Sequence, residues 1–546
     1  MKFLIFKIFF QRNKNPDDMI SAKTTFSIKN CSLSFILMIQ FLFFSCGDLK
    51  KQSGLPYLQY TVSMEAPANG SLHVVLECSF PSSDTVFFRM PEWMPGYYQI
   101  MNYSDKINNF EAAGSKGRTL GTVMKDDNTW MVVAGKDRKF TISYEVLSDR
   151  EFVACNYIDT SHAYIIPAAT FMYPLGYIHT PVRVRVIPYS EWDDIATGLE
   201  AVEGKKNEFT APDFNILYDC PILTGDLDEH PPFNVDGIPH KFITWNAGDF
   251  DGALLMSYLK RIVETSASLM GDIPYNEYTF IGIGPGQGGI EHLNNTTVSF
   301  TGKGLDSSEG MKRILMFLAH EYFHNYNVKR IRPYELGPFD YDRGSRTNLL
   351  WFSEGATVYY EYLLVRRADL MSDDDLLEAI ASNINAYEND PGLRYQSLTQ
   401  ASYNTWSDGP FGNSAGGPDR TISYYDKGPV VSMILDFAIR NASSNAKSLD
   451  DVMRFLYNRY YKEFRRGFTD AEFQNACETV AGVSLAPEFE YANTTREIDY
   501  EKYLSYAGLI ISRSTDQQTG RKQFSISKSE AMNPEQSAIF SSWTGN

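Results

Sequence analysis

His320, Glu321 and His324 form a His-Glu-x-x-His arrangement. On a helix, residues four apart project from the same side one turn apart, so both imidazoles can face one cation. Zn²⁺ accepts two such nitrogens, then needs a third protein ligand and an open position for water. Glu321 follows the first histidine, where it can take a proton from metal-activated water. Residues 348–364 contain Glu354 within an apolar and aromatic run. An unpaired carboxylate is costly to bury there, so a cation partner is the economical explanation. Glu361, seven residues on, is the alternative ligand. The expectation is one zinc per chain, held by His320, His324 and Glu354, with Glu321 as general base.

Several elements must position these groups. A helix should run from about residue 309 through His324, with Asp306 and Glu309 as a capping pair. Met311, Ile314, Leu315, Phe317 and Leu318 supply its apolar face. A second helix should carry Glu354, and Gly355 beside it permits close approach of another backbone. Upstream, Gly288-Gly289-Ile290-Glu291-His292 precedes an expected strand at 297–300. Glycines let backbone come close to a peptide, and an edge strand can pair with an extended substrate. Downstream, Tyr424-Tyr425-Asp426-Lys427-Gly428-Pro429 opens an expected helix continued by Val430, Val431, Ile434 and Leu435.

With these motifs assembled, the chain resembles peptidase family M61, the glycyl aminopeptidase family of the gluzincin clan. The resemblance rests first on the segments 320–333 and 350–360, where a glutamate on the next helix is the third ligand. It extends to Met90-Pro-Glu-Trp-Met-Pro-Gly-Tyr-Tyr98, to 214–221, to Gly288–His292 and to 448–453. It implies ligand roles for His320, His324 and Glu354 and the base role for Glu321. By analogy with gluzincin aminopeptidases, Glu291, with Gly288 and Gly289 beside it, would bind the substrate's free α-amino group. Tyr425 matches the tyrosine that donates to the oxyanion in a Tyr-x-Lys-Gly setting, with Tyr424 as the alternative register. One departure is visible: Asn325-Tyr326 stands where an aromatic Trp is usual after the second histidine. That changes a pocket wall and removes no ligand.

At 546 residues the chain exceeds one hydrophobic core and should form several domains. Between about 57 and 232, short alternating runs such as Ser71–Cys78 and Lys139–Val146 read as an all-β, sandwich-like domain. The Pro-rich stretch His230–Pro239 reads as a connector. Residues 240–368 should be a thermolysin-like zinc catalytic domain and 369–510 a helical domain. Residues 511–546 read as a short tail, too few for the PDZ domain that many family members carry. The fold class is therefore multidomain α+β.

The net charge of −17 leaves no surplus cation for phosphates and argues against nucleic acid. The densest basic patches, Lys329-Arg-Ile-Arg332 and Phe464-Arg-Arg466, read as local charge partners. Residues 33–45 are apolar, follow Lys23 and Lys29, and fall short of the ~20 residues of a membrane span. With a small-residue exit they describe a secretory signal, 1–45, whose true start is Met1 or Met19. Phe44-Ser45-Cys46-Gly47 resembles a loose lipobox, making Cys46 a lipidation site and 46–56 a tether. The expected location is the bacterial cell envelope, with membrane contact through that anchor. Cys78, Cys155, Cys220 and Cys477 are widely spaced and suggest no zinc or disulfide framework.

The function this implies is a zinc aminopeptidase acting on peptides with small first residues such as Gly or Ala. Two rivals stand beside it: an endopeptidase or oligopeptidase on the same site, and an inactive surface-tethered binding lipoprotein.

Overall fold

The computed structural model describes residues 56–546 except 82 and 417. The signal segment, the tether and Cys46 lie outside the described residues.

The N-terminal region is β-rich, as its alternation dictates. Ser71–Ser79 alternates buried and accessible positions along its length, placing Leu72, Val74, Leu76 and Cys78 inward. It pairs antiparallel with Tyr57–Ser63 on one side and Lys139–Leu147 on the other. These strands belong to a seven-stranded sheet, and a four-stranded sheet built on Thr85–Arg89 and Thr129–Val133 faces it. Phe88 of the smaller sheet meets Phe140 of the larger edge-on at 6.2 Å, and Trp130 stacks on Phe110 at 5.5 Å. A further four-stranded sheet, which includes His162–Ile165 and Ile222–Gly225, packs into the same core.

The Met90–Tyr98 segment leaves this core and buries Trp93 in the next one. Glu92 is buried in the same segment, and burial pushes its carboxyl up to about 7. The folded form therefore holds the proton more tightly than the unfolded chain does. Stability falls as pH rises from the ordinary carboxyl range to about 7, then levels off. Glu92→Gln keeps an acceptor for the Ser104 hydroxyl and carries no charge. At pH 8 it should raise the unfolding free energy by about 1 kcal/mol, allowing for solvent screening. At pH 4 variant and wild type should melt together; an equal gain at both pH values would show that charge is not the cause.

The second region opens earlier than its sequence suggests. The Pro-rich stretch taken for a connector contributes strand Phe233–Val235, which pairs with Ile238–Thr244. Pro231 and Pro232 precede that strand, and Pro239 is the second residue of Ile238–Thr244, opposite Asn234. Ile238–Thr244, Tyr278–Gly282 and Asn295–Val298 run parallel, and helix Gly252–Met270 makes the long crossover between the first two. The expected strand at 297–300 is centred earlier, at Asn295–Val298. It lies inside the sheet, and the edge is Gly289–Glu291, paired antiparallel with it.

Helices follow from Ser308 onward. Residues 240–368 and 369–510 share one contiguous hydrophobic core rather than two. The tail expected at 511–546 is folded. Leu509–Thr515 and Lys522–Lys528 form a hairpin, and helix Pro534–Thr544 buries Ile539, Phe540 and Trp543. Trp543 Nε1 donates to the Tyr359 hydroxyl at 2.7 Å, and Arg367 Nε donates to the Trp543 carbonyl at 3.0 Å. The polar composition hid this because three apolar side chains suffice to seat so short a helix.

Candidate metal centre

Helix Ser308–Phe323 is capped by Ser307, whose hydroxyl accepts from Gly310 N at 3.1 Å; Asp306 and Glu309 do not form the expected pair. His320 lies in the last turn and His324 is the C-cap residue. His320 Nδ1 donates to Glu361 Oε2 at 2.8 Å, and His324 Nδ1 donates to the Asn327 carbonyl at 2.8 Å. Each ring thus commits one nitrogen to an acceptor, which leaves both Nε2 atoms as lone-pair donors.

Glu354 reaches the same point from a π-helical turn, Trp351–Gly355, which precedes helix Ala356–Arg367. Asn327 ties the two segments together. Its Nδ2 donates to the carbonyls of Phe352 and Ser353 and to the Thr357 hydroxyl, at 3.0, 3.1 and 3.0 Å. On the far side, helix Tyr424–Ala442 crosses so closely that a Cβ on Gly355 would sit 2.5 Å from Gly428 Cα. That contact requires glycine, and it brings Tyr425 to the site.

His320 Nε2 and His324 Nε2 are 3.0 Å apart, and Glu354 Oε2 lies 3.6 and 3.2 Å from them. Ligands ~2.0–2.1 Å from a tetrahedral zinc would be separated by about 3.3 Å. Three buried lone-pair donors converging at that spacing repel one another unless a cation joins them. Their electrostatics agree. Burial alone would depress both imidazoles, but Glu354 and Glu361 beside His320, and Glu354 beside His324, outweigh it and raise both. Against its own burial, the two histidines hold Glu354 far below the usual carboxylate range. The pocket is built for positive charge, and these residues fit a divalent metal. Zinc bound there would supply Lewis-acid polarisation of a carbonyl and of water.

Glu361 therefore orients His320 rather than occupying the third position. Glu361→Gln should weaken binding of a divalent metal such as zinc by about 10- to 100-fold. Competition with a chelator checks this, and unchanged affinity would reduce Glu361 to packing.

Glu321 is buried, and burial pushes its carboxyl up to about 7. The edge strand presses on it: a Cβ on Gly289 would stand 2.5 Å from Glu321 Oε1. Gly288, at φ 88°, makes the left-handed turn into that strand. Two residues on, Glu291 is only 4% exposed, yet its carboxylate makes no hydrogen bond or ion pair among the described residues. Asp219 anchors the turn behind it, accepting from Leu293 N at 2.7 Å and facing His292 Nδ1 at 3.3 Å.

Tyr425 Oη donates to Glu354 Oε2 at 3.0 Å, whereas the Tyr424 hydroxyl meets Thr405 Oγ1 at 3.1 Å. Of the two registers, Tyr425 is the one that reaches the His320–His324–Glu354 group. Burial and the Glu354 charge raise its pKa well above the ordinary value, so it stays a neutral donor. Pro429 has no N–H to give the Tyr425 carbonyl, and Asn383 Nδ2 donates there instead at 3.3 Å.

Sequence reasoning left several neighbours without a role. Gly96 abuts Glu291, since a Cβ there would lie 3.0 Å from Glu291 Oε2. Phe411 stacks on Tyr425 at 5.4 Å. The Pro-Gly pair in Met90–Tyr98 was the only local signal for the first, and the second had none.

Comparison with known proteins agrees with this assembly. Residues 59–226 match the peptidase M61 N-terminal domain and 313–431 match the M61 glycyl aminopeptidase model, together just over half the chain. No curated protein gives a match. Among solved structures, an aminopeptidase N family protein from Idiomarina loihiensis is 24% identical, with TM-score 0.79 over 84% of this chain and 79% of that one. An M1 zinc metallopeptidase from Deinococcus radiodurans, bound to a Tyr-Ser-Ala substrate, is 14% identical, with TM-score 0.50 over 82% and 94%. Yeast LTA4 hydrolase is 12% identical, with TM-score 0.50 over 83% and 70%. At these identities the structural likenesses speak for the fold, a mixed α+β chain with a β-rich N-terminal region and a helical C-terminal region. The two family models, which span the β-rich region and the His-Glu-x-x-His centre, place the chain in peptidase family M61.

Proposed function

We propose that this peptidase is a zinc-dependent aminopeptidase that removes small N-terminal residues such as Gly or Ala from peptides. Residues 240–368 are its thermolysin-like catalytic unit, with one zinc held by His320, His324 and Glu354. Glu321 takes a proton from the attacking water and returns it to the leaving amine. Tyr425 donates its hydroxyl to the developing oxyanion. Gly289 leaves the strand backbone open beside Glu321, and Glu291 two residues away binds the α-ammonium group.

The observation that carries the exopeptidase reading is Glu291 itself. Glu291 is largely buried, lines a cavity and has no partner among the described residues, so its carboxylate suits a cation from outside the protein. A free peptide N-terminus supplies one beside the metal set. Paired peptides, free and N-acetylated, provide the test. The free form should be cleaved and the blocked one rejected by at least about 100-fold, the scale of losing one buried ion pair. Equal cleavage would convert the assignment to an endopeptidase or oligopeptidase on the same centre.

The cellular setting belongs to the same proposal and rests on the N-terminal sequence: export to the bacterial envelope with Cys46 lipidated.

A further inference from the structure

Two basic patches, 329–332 and 464–466, read in the sequence as local charge partners. In the fold they converge on one cavity of about 690 Å³, together with Lys462. That size falls within the range of small-molecule sites. Three of the lining cations have carboxylates of their own: Lys329 with Asp219 at 2.6 Å, Lys462 with Asp272 at 2.7 Å and Arg466 with Glu472 at 2.7 Å. Among the described residues the other three do not. Arg330 is 5% exposed and donates only to the backbone carbonyls of Leu293, Asn325 and Pro274, with its Nε unpartnered. Arg332 donates to the Leu336 carbonyl and, among the described residues, neither it nor the exposed Arg465 forms an ion pair.

A chain of net charge −17 has acids to spare, so the buried Arg330 and half-buried Arg332, left without carboxylates beside one cavity that the exposed Arg465 also lines, amount to an anion site. Burial lowers the Arg332 pKa, against the opposing charge effect of Tyr341. The cavity also includes Glu291, with Gly96 and Tyr98 beside it. One hollow thus offers an unpaired carboxylate and unpaired guanidinium groups, the complement of a zwitterion.

We propose that this cavity binds a carboxylate of acidic peptides, so that the enzyme favours peptides with Asp or Glu close to the N-terminus. The proposal rests on the reading of Glu291 as the amine site. It deepens that reading by adding a second, oppositely charged contact.

The test uses tripeptide pairs that differ by one charge and keep a small first residue: Ala-Glu-Ala against Ala-Gln-Ala, and Ala-Ala-Glu against Ala-Ala-Gln, each free and N-acetylated. For the zinc-loaded wild type, kcat/KM should favour the acid of at least one pair by about tenfold. Arg332→Gln should collapse that ratio, and Arg465→Glu, at an exposed position, should invert it. Added salt should shrink it. Equal cleavage of acid and amide in both pairs would overturn the proposal, as would a ratio that survives in Arg465→Glu. The acetylated arm separates the two readings. If blocked peptides are cleaved as well as free ones, the amine role of Glu291 fails, while the acid-to-amide ratio still reports on the cavity.

Discussion

Glu321→Gln should retain one zinc per chain and lose turnover by on the order of 10³-fold, the usual scale for a general base. The substitution is close to isosteric, so contact with the Gly289 backbone survives. The ligand set is untouched, because His320 is oriented by Glu361 and His324 by the Asn327 carbonyl. What disappears is a carboxylate beside the centre that neither pairs with a histidine ring nor belongs to the His320–His324–Glu354 set. Burial has already raised that carboxyl to about 7, where a base can both accept and return a proton near neutrality. Elemental analysis and steady-state rates on the same preparation decide the matter. Near wild-type turnover would remove Glu321 from the chemistry. Loss of zinc along with activity would make its role structural.

The reach of the sequence ends where chain-distant contacts begin. His320 and His324 were legible because helical spacing is local. Glu354 was legible because a carboxylate inside an aromatic run needs a partner. Its delivery by a π-helical turn was not, since nothing in residues 351–355 distinguishes that turn from α-helix. Glu361 looked like a rival ligand because it falls two turns along the same face; only the fold shows it on the outer nitrogen of His320. The β-rich N-terminal region read correctly from alternation, and the helical region from periodicity. Their meeting at the site did not, because Gly96 and Glu291 are separated by most of the β region. The basic patches were legible only in part for the same reason: Lys329 and Arg466 do find carboxylate partners, but 329–332 and 464–466 appear independent until they line one cavity.

Tyr425→Phe carries the other large expectation, a fall of about 10²–10³ in kcat with KM and zinc content nearly unchanged. The phenol has a single proton to donate, and in this structure Glu354 Oε2 takes it. A substrate oxygen competes for that proton poorly while it is a neutral carbonyl and well once it carries charge. The interaction therefore belongs to the transition state and should appear in kcat rather than KM. Phenylalanine keeps the ring and hence the stacking with Phe411, so the pocket wall survives. Tyr424→Phe is the matched control. It loses only the contact with Thr405 and should cost about 1 kcal/mol of stability with kcat intact. If the two variants exchanged behaviour, the register would be wrong and Tyr424 would be the oxyanion donor. If both kept full kcat, oxyanion stabilisation would rest on the metal alone, and the hydroxyl of Tyr425 would serve only to hold Glu354.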